Sequence, residues 1–269
     1  MRKLGWALLV CFLNLTASPG FSASGAPTAG REVSVAAAAD LNSALTEIAA
    51  SFKKQTGITV KLSFGSSGAL AQQIQNGAPF DLFFSADMDY PRQLADAGQA
   101  EASSLYRYAV GGLALWVPAD SPLDVEHKGM NVLSDPAIKK IAIANPRHAP
   151  YGRAAVAAMK HVQLYDQVSD RLVMGENISQ AAQFVESGNA QVGFVALAHV
   201  TSPAMQGKGR YWRIPAEAHP PLDQGLVIIS RSRRKKLAAA FVEYIKTPES
   251  AKVFSRYGFT VLAETPEKK

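Results

Sequence analysis

Short β-type apolar runs alternate along this chain with segments whose apolar positions recur at helical spacing. Val33-Ser34-Val35-Ala36 reads as a strand, and Leu41 to Lys54 as a helix with Leu41, Leu45, Ile48, Ala49 and Phe52 on one stripe. Gly57 is placed to close that helix, and Ile58-Thr59-Val60-Lys61-Leu62 is the next strand. A short helix over Ala69 to Gln75, a strand at Phe80-Asp81-Leu82-Phe83-Phe84 and a helix around Tyr90 to Ala97 continue the series. Further strands read at Ile141 to Ala144, Leu172 to Met174 and Gln191 to Ala196. The helices between them run from Tyr151 to Val162, from Ile178 to Glu186, and briefly after Ala196. Lys235 to Ile245 and Pro248 to Tyr257 are helical. Alternation of this kind predicts an α/β protein with largely parallel sheets.

Two longer apolar runs break the rhythm. Val110-Gly111-Gly112-Leu113-Ala114-Leu115-Trp116-Val117-Pro118 opens on a flexible Gly-Gly pair and reads as a crossing into a second lobe. Gly225-Leu226-Val227-Ile228-Ile229 reads as the return. The predicted lobes are therefore 32–111 with 225–262, and 112–224. The two C-terminal helices fall with the first. Residues 263–269 read as a disordered tail.

The first residues follow another pattern. Arg2 and Lys3 precede the apolar core Trp6 to Leu13, which is too short to span a bilayer, and small residues follow at Ser22 to Ala26. Residues 1–25 read as a cleaved export signal, which places the product in the periplasm. Cys11, the only cysteine, lies inside that core, so the mature chain has no thiol for disulfides, iron–sulfur clusters or thiolate zinc. Loss of Arg2 and Lys3 lowers the formal charge from +6 to +4. This excess is scattered. The densest basic run, Arg231 to Lys236, opens a helix and reads as a solvated face, so no nucleic-acid partner is expected.

Candidate chemistry sits where strands enter helices. Four such entrances read Ala37-Ala38-Ala39-Asp40-Leu41, Gly65-Ser66-Ser67-Gly68, Asn145 to Gly152, and Glu176-Asn177-Ile178-Ser179. Free N–H groups and the positive dipole end at a helix start suit an anion. One entrance means little, but two in each half suggest a cleft between lobes. Ser66 or Ser67 also suits a simple helix cap, Tyr151 offers its N–H and carries a phenol beside it, and Asn177 is a good N-cap. Donors of this kind are uncharged. They favour a fully ionised tetrahedral anion over one carrying its own proton, such as phosphate. Catalytic patterns such as G-x-S-x-G, H-E-x-x-H or a Walker loop are missing, and the five histidines show no ligand spacing. No cofactor is expected.

These entrances, together with Asn76-Gly77-Ala78-Pro79-Phe80-Asp81-Leu82-Phe83-Phe84-Ser85-Ala86-Asp87, Gly193-Phe194-Val195-Ala196 and Arg256-Tyr257-Gly258-Phe259, carry a resemblance. The chain is similar to the periplasmic molybdate-binding proteins of bacterial ABC importers, which are type II periplasmic binding proteins, from Val33 to about Leu262. That resemblance implies a two-lobed α/β fold with mixed sheets flanked by helices and two hinge crossings. It implies a monomeric receptor, not an enzyme, that delivers molybdate or tungstate to a membrane permease. The ligand contacts it implies fall at Ala39, Asp40, Ser67, Tyr151 and Ile178.

Two departures stand out. Some members have serine or asparagine where this chain has Asp40, and a carboxylate facing a dianion in a dry cleft is repulsive. The reading adopted is that Asp40 turns back to cap the Leu41 helix and offers only its N–H. Some members place a contacting tyrosine where this chain has Ala196; here the tyrosine is Tyr151. Arg153 reads either as added charge complementarity or as a solvent-facing residue. Alternatives left open are a same-fold receptor for sulfate or another small ligand, an exported hydrolase with Ser67 as nucleophile, and a signalling ectodomain.

Overall fold

The computed structural model describes residues 30–262; the segment read as an export signal, Cys11 and the tail from 263 lie outside the described residues. In chain order the strands are β1 (Glu32–Ala38), β2 (Thr59–Gly65), β3 (Leu82–Ser85), β4 (Tyr106–Gly111), β5 (Leu113–Pro118), β6 (Ile141–Ala144), β7 (Leu172–Gly175), β8 (Val192–Ala196), β9 (Gly209–Arg213), β10 (Leu222–Ile228) and β11 (Thr260–Val261). The helices are α1 (Asn42–Thr56), α2 (Ser67–Gln75), α3 (Asp89–Asp96), α4 (Val125–Lys128), α5 (Pro150–His161), α6 (Tyr165–Val168), α7 (Ile178–Glu186), α8 (Leu197–Val200), α9 (Lys235–Ile245) and α10 (Pro248–Arg256).

Strands assemble into two mixed sheets. One has the order β11-β4-β10-β3-β1-β2 and the other β7-β6-β8-β5-β9. β1 runs parallel to β2 and β3, and β6 runs parallel to β7 and β8, while β10 and β5 are antiparallel to their neighbours. The apolar run of β1 fits its inner place in the first sheet, where Val33, Val35, Ala36 and Ala37 are fully buried. The predicted stripe of α1 faces the core, with Leu41, Leu45, Ile48, Ala49 and Phe52 all buried. Gly57 ends the helix at φ 71° and donates its N–H to Lys53 O, a left-handed cap that favours glycine.

Asp81 explains part of the Gly-Ala-Pro-x-Asp-Leu-Phe motif. Its buried carboxylate accepts from Ser34 N at 2.8 Å and from Ser232 Oγ at 2.6 Å, tying β1, the start of β3 and the chain after β10 together. An aromatic cluster of Phe52, Phe84, Tyr108, Phe241 and Phe254 fills the core where α1, α9 and α10 cover the first sheet. The C-terminal helices thus pack on the first sheet.

The chain passes between sheets twice. β4 ends at Gly111 in the first sheet and β5 begins at Leu113 in the second, so the outward passage is a single residue, Gly112. The return runs through residues 214–221. β10 begins at Leu222, earlier than the Gly225 expected from the apolar run. Leu222-Asp223-Gln224 hid this start because two of its residues are polar. Gln224 is nevertheless fully buried, and Asp223 pairs with Arg107 at 2.5 Å. Leu222 is the partner of Gly111 across β10 and β4, so both passages lie side by side.

Candidate functional site

Parallel strands present their carboxyl ends together, and helix starts follow there. The chain leaves β1 into the turn Ala39–Leu41, β2 into α2, β6 through residues 145–149 into α5, and β7 through Glu176-Asn177 into α7. These four ends meet around one cavity of about 10 Å³, on the order of one water. Ala39, Asp40, Ser67, Tyr151 and Ile178 all line it. Ser67 and Ile178 open their helices, and Tyr151 follows Pro150 in the first turn of α5, so helix geometry leaves their N–H groups without intrahelical acceptors. Asn177 Oδ1 accepts from Ser179 N at 3.0 Å and Gln180 N at 3.1 Å. That cap holds α7 so that the Ile178 N–H points out of its end.

Neither serine of the second entrance caps α2. Ser67 Oγ accepts from Ala86 N at 3.0 Å, which leaves its own proton for a ligand in the cavity. Ser66 Oγ lies 2.7 Å from His148 Nδ1, and His148 Nε2 lies 3.5 Å from Glu176. The hydrolase reading requires a histidine at Ser67; the histidine that arrives bonds Ser66 instead. His148 belongs to the other half of the molecule, and its carbonyl also accepts from Gly68 N at 2.8 Å. It clasps the entrance of α2 from across the cleft.

Two more contacts cross the cleft. Ser179 Oγ donates to Ala39 O at 3.1 Å. Arg153, one turn into α5, reaches Asp87 Oδ2 at 2.5 Å and Tyr90 Oη at 3.3 Å, with its guanidinium over the Tyr90 ring. Arg153 is therefore neither free in solvent nor aimed at the cavity. Burial pushes the Asp87 carboxyl above its ordinary pKa, against the pull of the Tyr90 N–H and Arg153.

Asp40 does not cap the following helix: neither the turn Ala39–Leu41 nor α1 has a side-chain cap. Its side chain is turned inward, 6% exposed, and no hydrogen bond of full geometry closes on either carboxyl oxygen. Around it stand the Tyr151 phenol and the Gln224 side chain, both placed to donate toward the carboxyl, and Tyr108. Burial pushes the Asp40 pKa up to about 7, only partly opposed by Tyr151 and Gln224, and burial also raises both tyrosines well above their usual range. This cluster sits on the outward passage. A methyl group at Gly111 would lie 2.3 Å from Tyr151 Oη and 2.8 Å from Gln224 Nε2, so only glycine admits the phenol there.

Sequence reasoning missed His148, the Arg153–Asp87 pair, Gln224 and Tyr108. His148 sat within the third entrance and Asp87 within the Ser-Ala-Asp motif, so their positions were visible but their partners were not. Among the described residues no group of three His, Cys, Asp or Glu could hold a metal ion, and no helix is long and apolar enough to cross a membrane.

Two sheet-centred halves, joined by paired passages and meeting around a small cavity of helix starts, define a binding protein of the type II periplasmic class. A model of the bacterial extracellular solute-binding proteins matches residues 33–260, and the chain belongs to that family. The molybdate-binding protein of Azotobacter vinelandii is 41% identical over 228 residues, covering 85% of this chain and 89% of that one. The molybdate-binding protein of Rhodobacter capsulatus is 38% identical over 233 residues, covering 87% and 90%. Among solved structures, the periplasmic molybdate-binding protein of A. vinelandii aligns with a TM-score of 0.81 at 35% identity, covering 86% of this chain and all of that one.

Proposed function

We propose that this chain is the periplasmic receptor that captures molybdate, and tungstate with it, and hands it to the permease of an ABC importer. The observation that carries this reading is the convergence of uncharged donors from both halves on one cavity. Backbone N–H groups at Ser67, Tyr151 and Ile178, the turn at Ala39 and Asp40, and the Ser67 hydroxyl supply the hydrogen bonds. Each bond to a charged group contributes about 1.5–3 kcal/mol, so a handful hold a dianion without a buried lysine or arginine. Arg153, the nearest arginine to cross the cleft, is occupied by Asp87. Capture requires no bond to be made or broken, and the receptor acts by binding alone. Removal of residues 1–25 on export, with the mature chain acting as a monomer in the periplasm, completes the reading.

A thermal-shift panel against molybdate, tungstate, sulfate and phosphate tests it. Molybdate and tungstate at about a thousand times the dissociation constant add about 4 kcal/mol of stability and raise the melting temperature by several degrees. Sulfate and phosphate leave it unchanged. Equal shifts with sulfate, or none with any oxyanion, overturn the assignment.

A further inference from the structure

A carboxyl group in the wall of a dianion site is the strongest anomaly in this molecule. Asp40 is buried, only the Tyr151 phenol and the Gln224 side chain approach its oxygens as donors, and no cationic side chain pairs with it. The groups that face it are Tyr151 from α5, Tyr108 from β4 and Gln224 from β10, all uncharged. An ionised carboxylate here meets two unfavourable conditions at once, burial without a counter-ion and a doubly negative neighbour.

We propose that Asp40 serves the closed receptor as a neutral carboxylic acid, so that capture of the oxyanion takes up one proton and the carboxyl acts as a donor rather than a repelling charge. This inference rests on the oxyanion reading of the cavity. Burial, partly opposed by hydrogen bonding from Tyr151 and Gln224, brings the group to a pKa of about 7, and a dianion in the adjoining cavity pushes it further the same way. When the halves part, water reaches the carboxyl and its pKa returns toward the ordinary value of about 3.9. Between those two values closure draws a proton from solvent, and affinity falls by up to tenfold for each pH unit gained. Above the closed-state pKa the fall levels off. Release at higher pH is correspondingly easier.

Calorimetric titration with molybdate tests this, comparing the wild type with Asp40→Asn, which keeps the shape of the neutral acid. Between about pH 6 and about pH 9 the wild-type dissociation constant rises about tenfold or more, while that of Asp40→Asn stays flat. Repeating the titration in two buffers of different ionisation heat counts the protons. Wild type takes up about one at the acid end and none at the alkaline end, and Asp40→Asn takes up none. Every other titratable group, His148 included, is common to both proteins. A flat wild-type profile, or the same slope in both, overturns the proposal. Failure of both proteins to bind molybdate at any pH instead rejects the ligand assignment, and the proton uptake that rests on it falls with it. A group with a raised folded-state pKa loses its contribution as pH climbs from the unfolded value through the folded one. In saturating molybdate, which holds the closed form, wild type therefore loses melting temperature relative to Asp40→Asn from about pH 4 to about pH 7 or beyond and runs parallel above; parallel curves throughout overturn the neutral acid.

Discussion

Ser67 shows how one hydroxyl is made into a directed donor. Its lone pair is taken by Ala86 N, so the proton has nowhere better to go than the cavity. Ser67→Ala removes a charge-assisted bond and strands the Ala86 N–H, and calorimetry should show molybdate affinity reduced about ten- to a hundredfold. Gly68 offers a sharper test. A methyl there would lie 2.8 Å from the His148 carbonyl and 2.4 Å from Tyr90 Oη. The carbonyl is backbone on the far side of the cleft and yields only if the cleft opens. Gly68→Ala should therefore weaken binding by more than tenfold, a loss read by calorimetry, because the Tyr90 ring can swing aside but the His148 carbonyl cannot without parting the halves. At this scale backbone sites were legible from sequence, because a strand running into a capped helix fixes where free N–H groups lie. Side-chain roles were not. Ser66 meets His148 across 82 positions of sequence, and Asp40 faces Gln224, a residue far along the chain in an apparently polar stretch.

Among the elements, α5 and the segment after β3 are joined by one ion pair that spans the cleft. Arg153 and Tyr151 share the first turns of α5, while Asp87 directly follows Ala86, the residue that orients Ser67. Formation of the pair therefore brings two ligand-facing groups into register. It also cancels a carboxylate that would otherwise repel the dianion. Arg153→Met should cost more than Asp87→Asn, because the first leaves a bare negative charge near the cavity and the second leaves a bare positive one. In a double-mutant cycle on molybdate affinity the double variant should bind better than Arg153→Met alone, with a coupling of about 0.5–3 kcal/mol. Additive effects would reduce the pair to a surface contact. Legibility at this scale followed the periodic pattern. α1, α7 and α9 were clear because their apolar stripes are regular. The start of β10 was obscured because Asp223 and Gln224 find their partners only in the folded sheet.

Any hinge between the two sheets would have to run through the two passages, and their adjacency constrains how it could turn. Gly111 and Leu222 are direct partners, so the outward and return strands form one narrow band between the sheets. The buried cluster of Asp40, Tyr151, Tyr108 and Gln224 sits on that band, and the cavity opens beside it. Three residues that line the cavity, Ala39, Asp40 and Ile178, also border a larger pocket of about 300 Å³ together with Ser179, His199 and Lys208. Parting of the halves would break the contacts of His148, Arg153 and Ser179 between them, and closure would re-form them. In solution the ligand-free receptor should sample an open form, and molybdate should draw it shut. Small-angle X-ray scattering should therefore give a smaller radius of gyration with saturating molybdate than without, and no change with sulfate. Arg153→Met should need a higher molybdate concentration to reach the same closed radius, with the loss appearing in dissociation rather than association. An unchanged radius at saturation would mean that the halves are rigid, and that the anion enters by a route other than hinge opening.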